Sequence, residues 1–144
     1  MELSDKIKQM IKGWEGCRLK AYRCPAGVPT IGYGHTLGVR LGQTISQYEA
    51  DVLFEKDIAA FAARVTPLLG SAHVNNNQFD ALVSLAYNIG IGAFAKSSLL
   101  KKVKANPADP SIRAEFARFV HGGGKVLPGL VKRRTAEADH YFSR

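Results

Sequence analysis

The residues Gly13–Leu41, GWEGCRLKAYRCPAGVPTIGYGHTLGVRL, decide how the chain is read. Six glycines (Gly13, Gly16, Gly27, Gly32, Gly34, Gly38) and two prolines stand in this stretch and break any helix. Helical apolar spacing precedes it and follows it. A short β-rich region is therefore expected inside an otherwise α-helical chain. The same stretch gathers Glu15, Cys17, Cys24, Thr30 and His35, the densest group of reactive side chains in the sequence.

Within the stretch, Leu19, Ala21 and Tyr22 read as one strand and Pro29 to Tyr33 as a second, with a Pro-Gly turn from Cys24 to Val28 between them. Thr36 to Arg40 is expected to add a short third strand. Upstream, Ser4 can cap a helix running to about Trp14, with Ile7, Met10, Ile11 and Trp14 at helical spacing. Glu15 falls where that helix gives way to the strands.

Downstream, Ser46-Gln47-Tyr48-Glu49 is a capping box that opens a long helix to about Leu69, with Ala50, Leu53, Phe54, Ile58, Phe61 and Val65 as its inward stripe. Pro67 bends or ends it. Gly70 to Asn77 reads as a polar loop. Gln78 to Ile89 has almost no polar face, which predicts a buried central helix. Further helices are expected over Ala93–Asn106, from Asp109 or Ser111 to Val120, and from Leu127 to about Phe142, with a His121-Gly-Gly-Gly loop before the last. The fold class is α+β: a small antiparallel sheet beside a helical lobe, joined by the long helix from Ser46. One domain over 1–144 is expected, with a β-rich lobe at about 15–45, the inter-lobe helix at 46–69, and a helical lobe at 70–144 that includes helix 4–14.

A chain of 144 residues with 46% apolar content can bury a core without a staple. Two cysteines are too few for a disulfide scaffold. The segment MELSDKIKQMIKGW alternates charged and apolar residues and reads as neither a signal peptide nor a membrane span, so cytoplasmic synthesis with reduced thiols is expected. The net charge of +8 suits an anionic partner: nucleic acid, an anionic envelope, or a carboxylate-bearing polymer. Aromatics are not interleaved with the cations as a nucleic-acid groove requires.

Nucleotide motifs fail. Gly32-Tyr33-Gly34 would need a glycine at position 37, which is Leu37, and Gly124-Lys125 lacks its flanking partners. His35, His73, His121, His140 and the cysteines show no metal-ligand spacing, and no Gly-x-Ser-x-Gly elbow is present. No cofactor or metal is implied. Glu15 remains, flanked by Trp14. A partly desolvated carboxyl there can act as a general acid, with a second group across a cleft activating water or attacking a sugar. By spacing alone, such a glutamate is more often a solvated surface residue.

The segments Trp14-Glu15-Gly16-x-x-Leu19-x-Ala21-Tyr22 and Thr30-Ile31-Gly32-Tyr33-Gly34-His35-Thr36 resemble the phage lysozyme family of T4-type muramidases and endolysins. The resemblance extends through Ile45–Asp57, Phe79–Phe94, Ser98–Leu100 and Gly123–Arg134, essentially the whole chain. It implies a lysozyme-like fold and hydrolysis of the β-1,4 bond between N-acetylmuramic acid and N-acetylglucosamine in peptidoglycan. The family's general acid falls on Glu15 and its catalytic threonine, which helps hold water, on Thr30. The aspartate between them is replaced by Cys24, which resembles a phage subgroup with a Glu-Cys-Thr set. Cys24 could attack the anomeric carbon or, as a thiolate, orient water, so the stereochemical outcome stays open; an inert small core residue is the plainer alternative.

By the same resemblance His35 pairs with Asp57 in a structural role, and Asn88 lines the cleft. Tyr33 and Tyr87 either line it too or pack in the core. A Cys17–Cys24 disulfide would need Cα atoms within about 7 Å; a reduced cytoplasm argues for two free thiols. The expected partner is peptidoglycan, with no nucleic acid and no membrane insertion. The expected protein is a monomer held in the host cytoplasm until a phage holin opens the membrane. A lytic transglycosylase, a non-catalytic wall-binding module and a basic nucleic-acid binder are the competing readings.

Overall fold

The computed structural model describes residues 1–144. The chain divides into two compact units, one formed by Lys8–Ala60 and one by Met1–Ile7 with Phe61–Arg144.

In the Lys8–Ala60 unit, helix α1 (Asp5–Glu15) leads into strands β1 (Arg18–Arg23) and β2 (Pro29–Gly32), an antiparallel pair, and then into helix α2 (Gln47–Leu68). Register pairs Tyr22 with Thr30 and Arg23 with Pro29, and an irregularity separates these pairs from Arg18 and Gly32. The turn between the strands is a three-residue loop: Gly27 N donates to Cys24 O at 2.7 Å, and Cys24 N donates to Val28 O at 3.0 Å. Pro25 suits the first corner, and Gly27 at φ +82° supplies the left-handed position such a loop needs.

Ile11, Ala21, Ile31, Ala50, Phe54 and Ile58 are buried and form the core of this unit. Each large aliphatic or aromatic side chain of that set contributes about 1.5–3 kcal/mol by leaving water. The capping box forms as the sequence requires: Ser46 N donates to Glu49 Oε1, and Glu49 N to Ser46 Oγ, both at 3.1 Å. The third strand expected at Thr36–Arg40 is absent. Turns take its place, with Val39 N on Thr36 O and Gln43 N on Arg40 O. The chain returns to β1 later, at a Lys20–Thr44 bridge. Gly38 at φ +71° turns the chain there, and His35 Nε2 lies 2.9 Å from the Leu37 carbonyl.

In the other unit, Ser4 Oγ accepts from Ile7 N at 3.2 Å and starts α1. Helix α3 (Asn76–Ile89) is buried from Phe79 through Ala86 and is capped by a reciprocal Asn75–Gln78 box. Its principal partner is α7 (Pro128–Tyr141). The helix expected over Ala93–Asn106 is two helices, α4 (Ile91–Lys96) and α5 (Ser98–Ala105). Ser97 divides them, its hydroxyl donating to Phe94 O at 2.7 Å while its oxygen accepts from Leu100 N at 3.1 Å. Helix α6 (Ile112–Phe116) is shorter than expected. His121-Gly122 and Lys125-Val126 form a hairpin (β3, β4) where a loop was expected. The two-residue Gly123-Gly124 turn is what closes it.

Charges inside this unit are paired. Asp80 accepts from Ser4 N, from Ser4 Oγ at 2.6 Å and from His140 Nε2 at 2.8 Å. Glu137 accepts from Ser84 Oγ and stands 3.1 Å from Arg134 Nε and 3.5 Å from Arg133 Nε. No helix of the chain is long and apolar enough to cross a membrane.

Candidate active site

Hairpin β1–β2 carries two of the candidate residues. Tyr22 and Thr30 are direct partners, and Cys24 pairs with Val28 through the loop bond, so Cys24 and Thr30 are diagonal neighbours on one face. Thr30 is buried and Cys24 is half-exposed, so the sulfur stands at the rim of the hairpin and the hydroxyl beneath it.

The Cys24 thiol is held below the ordinary thiol range. The backbone amide of Val28 is the main cause, the amides of Ala26 and of Cys24 itself add to it, and so does the Thr30 hydroxyl. Thr30 has one hydroxyl hydrogen, and Oγ1 lies 2.9 Å from the Val28 carbonyl. That hydrogen is donated to Val28 O.

Glu15 is the last residue of α1, and the helix stops there with Gly16 N bonded to Lys12 O at 2.9 Å. Its carboxyl lies against the turn that leaves β2, next to Gly34. That turn is closed by reciprocal bonds, Ile31 N to His35 O and His35 N to Ile31 O, both at 2.9 Å. His35 then bridges outward, with Nδ1 at 2.8 Å from Asp57 Oδ2 on α2 and Nε2 at 2.9 Å from Leu37 O.

Tyr33 sits in the same turn but is committed to packing. Its hydroxyl accepts from Gln47 Nε2 at 3.1 Å, its ring meets Phe54 edge-on at 5.6 Å, and Lys12 Nζ lies 5.2 Å from its centroid. Cys17 is exposed and lies 3.8 Å from Gln47 Oε1. Both cysteines are free thiols. The extended strand β1 between them holds their Cα atoms roughly 20 Å apart, which excludes a bridge in this conformation.

The remaining candidates belong to the other unit. Tyr87 packs edge-on against Phe61 at 5.2 Å. Asn88 is exposed, and its Oδ1 accepts from Arg134 Nη2. Beside Asn88 a cavity of about 370 Å³ is lined by Ile89, Phe119, His121 and Leu130. No group of His, Cys, Asp and Glu residues is arranged to hold a metal ion. The sequence alone does not show the approach of Gly34 to Glu15 or the tie from Arg134 to Asn88.

Residues 12–137 match the model of the phage lysozyme family. An endolysin of Acyrthosiphon pisum secondary endosymbiont phage 1 is 45% identical over 145 residues, which cover 95% of this chain and 95% of that protein. An endolysin of Bacillus phage PZA is 43% identical over 95% of this chain, but the chain spans 54% of that protein. Among solved structures, the endolysin from Escherichia coli O157:H7 phage FAHEc1 superposes with a TM-score of 0.85 at 36% identity, covering 99% of this chain and 94% of that one.

Proposed function

The chain belongs to the phage lysozyme family, and from that membership we propose that it is an endolysin, a muramidase that hydrolyses the β-1,4 bond between N-acetylmuramic acid and N-acetylglucosamine in peptidoglycan. The observation that carries this reading is the family match over residues 12–137, a span that contains Glu15, Cys24 and Thr30 in order.

In this mechanism Glu15 gives its proton to the bridging oxygen as the bond to the anomeric carbon breaks. Cys24, kept toward its thiolate form by the loop amides, presents negative charge to the developing oxocarbenium ion. Water completes the balance: its hydroxyl reaches the anomeric carbon directly, with its other proton passing to the Cys24 thiolate, or after a thioglycoside on Cys24, with that proton returning to the Glu15 carboxylate and the thiolate leaving. Thr30 holds that water or the sulfur through the hydroxyl that also contacts Val28. Asn88 contributes substrate contact, with Tyr33 and Tyr87 supporting from their packed positions. The net charge of +8 favours adsorption to an anionic envelope. The enzyme acts as a monomer and waits in the host cytoplasm for a phage-encoded pore.

Turbidity clearing of permeabilised Gram-negative cells tests the reading. The parent is expected to clear and Glu15→Gln to be inactive; an active Gln protein removes Glu15 as the acid. Product masses separate hydrolysis from transglycosylation, whose anhydro ends are one water lighter. The anomer first released, followed by NMR, tells a retained from an inverted product.

A further inference from the structure

We propose that Gly34 is a positioning residue for the acid: the absence of a side chain there gives the Glu15 carboxyl its place. The proposal rests on the reading of Glu15 given above. A β-carbon built on Gly34 would stand 3.2 Å from Glu15 Oε1 and 3.9 Å from its carboxyl carbon, with no other atom within 4 Å. The shorter distance is below an ordinary carbon–oxygen contact. The carboxyl therefore rests against the bare backbone of the turn.

A glutamate at a helix end has several rotatable side-chain torsions, and a proton donor must stand within hydrogen-bond reach of the glycosidic oxygen. A wall that fixes those torsions must itself be stiff. Here it is stiff on three sides. The reciprocal Ile31–His35 backbone bonds close the turn, His35 Nδ1 is fixed at 2.8 Å from Asp57, and His35 Nε2 at 2.9 Å from the Leu37 carbonyl. Gly34 itself holds φ +85°, open to glycine at no steric cost. With a methyl group at Gly34 the pinned turn cannot retreat, so the carboxyl must give by a few tenths of an ångström. A misplacement near 1 Å can cost about a hundredfold in rate, so this smaller shift costs a smaller factor.

Backbone strain and displacement of the acid are separable because the same unit offers a matched control. Gly38 holds φ +71°, yet a β-carbon there would meet nothing within 4 Å. Gly34→Ala and Gly38→Ala therefore both carry left-handed strain, and only the first meets Glu15. The experiment measures kcat and KM on soluble glycan strands, the pH–rate profile and Tm for the parent, Gly34→Ala, Gly38→Ala and Glu15→Gln.

The expected result is that Gly34→Ala loses several-fold in kcat, with KM within about twofold. Gly38→Ala should also lose Tm and keep the parent's kcat and profile. If Gly34→Ala does not fold, Gly34→Asn replaces it, since asparagine tolerates the left-handed region while carrying the same β-carbon. An inactive Glu15→Gln beside a Gly34 variant with the parent's kcat overturns the proposal alone. So does an equal loss of kcat in Gly38→Ala. An active Glu15→Gln overturns the acid assignment and, with it, this inference.

Discussion

The His35 ring spans from a helix to a loop: Nδ1 lies 2.8 Å from Asp57 Oδ2 on α2, and Nε2 lies 2.9 Å from the carbonyl of Leu37. Both ring nitrogens are used, and the ring is mostly shielded from solvent. This side chain fastens the turn that carries Gly34 to the long helix. Replacing it by alanine should cost about 1.5–3 kcal/mol, the range for a hydrogen bond to a charged group. At roughly 2–4 °C per kcal/mol for a chain of this size, the melting temperature should fall by several degrees. Thermal unfolding of His35→Ala and Asp57→Asn measures this, and the double variant should lose less than the sum.

Cys24 should react as an acidic thiol. The amides of Val28, Ala26 and Cys24, together with the Thr30 hydroxyl, stabilise its thiolate. The folded thiol therefore ionises at lower pH than a free one, near 8.5. Alkylation by iodoacetamide, followed by peptide mass mapping, should reach half its maximal rate at Cys24 below that pH. Thr30→Val removes the hydroxyl and should move the midpoint upward. A Cys24 midpoint at or above the free-thiol value would contradict the lowered thiol pKa.

Acid stability should depend on Glu115. Its carboxyl is held below the ordinary range, first by the Ser98 hydroxyl and then by Arg118, whose Nη1 is 3.2 Å from Oε1. Because the folded form binds its proton more weakly than the unfolded one, the contribution is complete above the ordinary glutamate value, about 4.3. It is lost as pH falls through the lower folded value. Melting curves in that acid window should be steeper in pH for the parent than for Glu115→Gln.

The buried and exposed ion pairs of α7 should differ sharply. Glu137 is fully buried among Ser84, Arg133 and Arg134, so Glu137→Ala leaves buried guanidinium groups without their carboxylate and should cost about 3–5 kcal/mol. Asp139 bonds Arg113 at 2.7 Å, with both side chains about half exposed. Asp139→Ala should cost less than about 1 kcal/mol. Urea unfolding of the two variants compares them directly.

Much of the local structure was legible in the sequence because it rests on neighbours. The Ser46–Glu49 box, the Ser4 cap, the Cys24–Val28 turn and the apolar run of α3 all depend on residues a few positions apart. The failures are of two kinds. At Ser97 a side chain that bonds its own backbone in two directions cut one expected helix in two. At His121–Val126 the glycines suggest a loop, yet two glycines between extended residues are the composition of a tight hairpin.

The sequence by itself determined that a β-hairpin interrupts a helical chain and that Glu15, Cys24 and Thr30 lie in or beside it, since glycine and proline positions and apolar periodicity act over short range. Only the tertiary structure decided what touches them. The closeness of the Glu15 carboxyl to Gly34, nineteen residues on, and the tie from Arg134 to Asn88 depend on the path of the folded backbone, which side-chain identity alone does not specify.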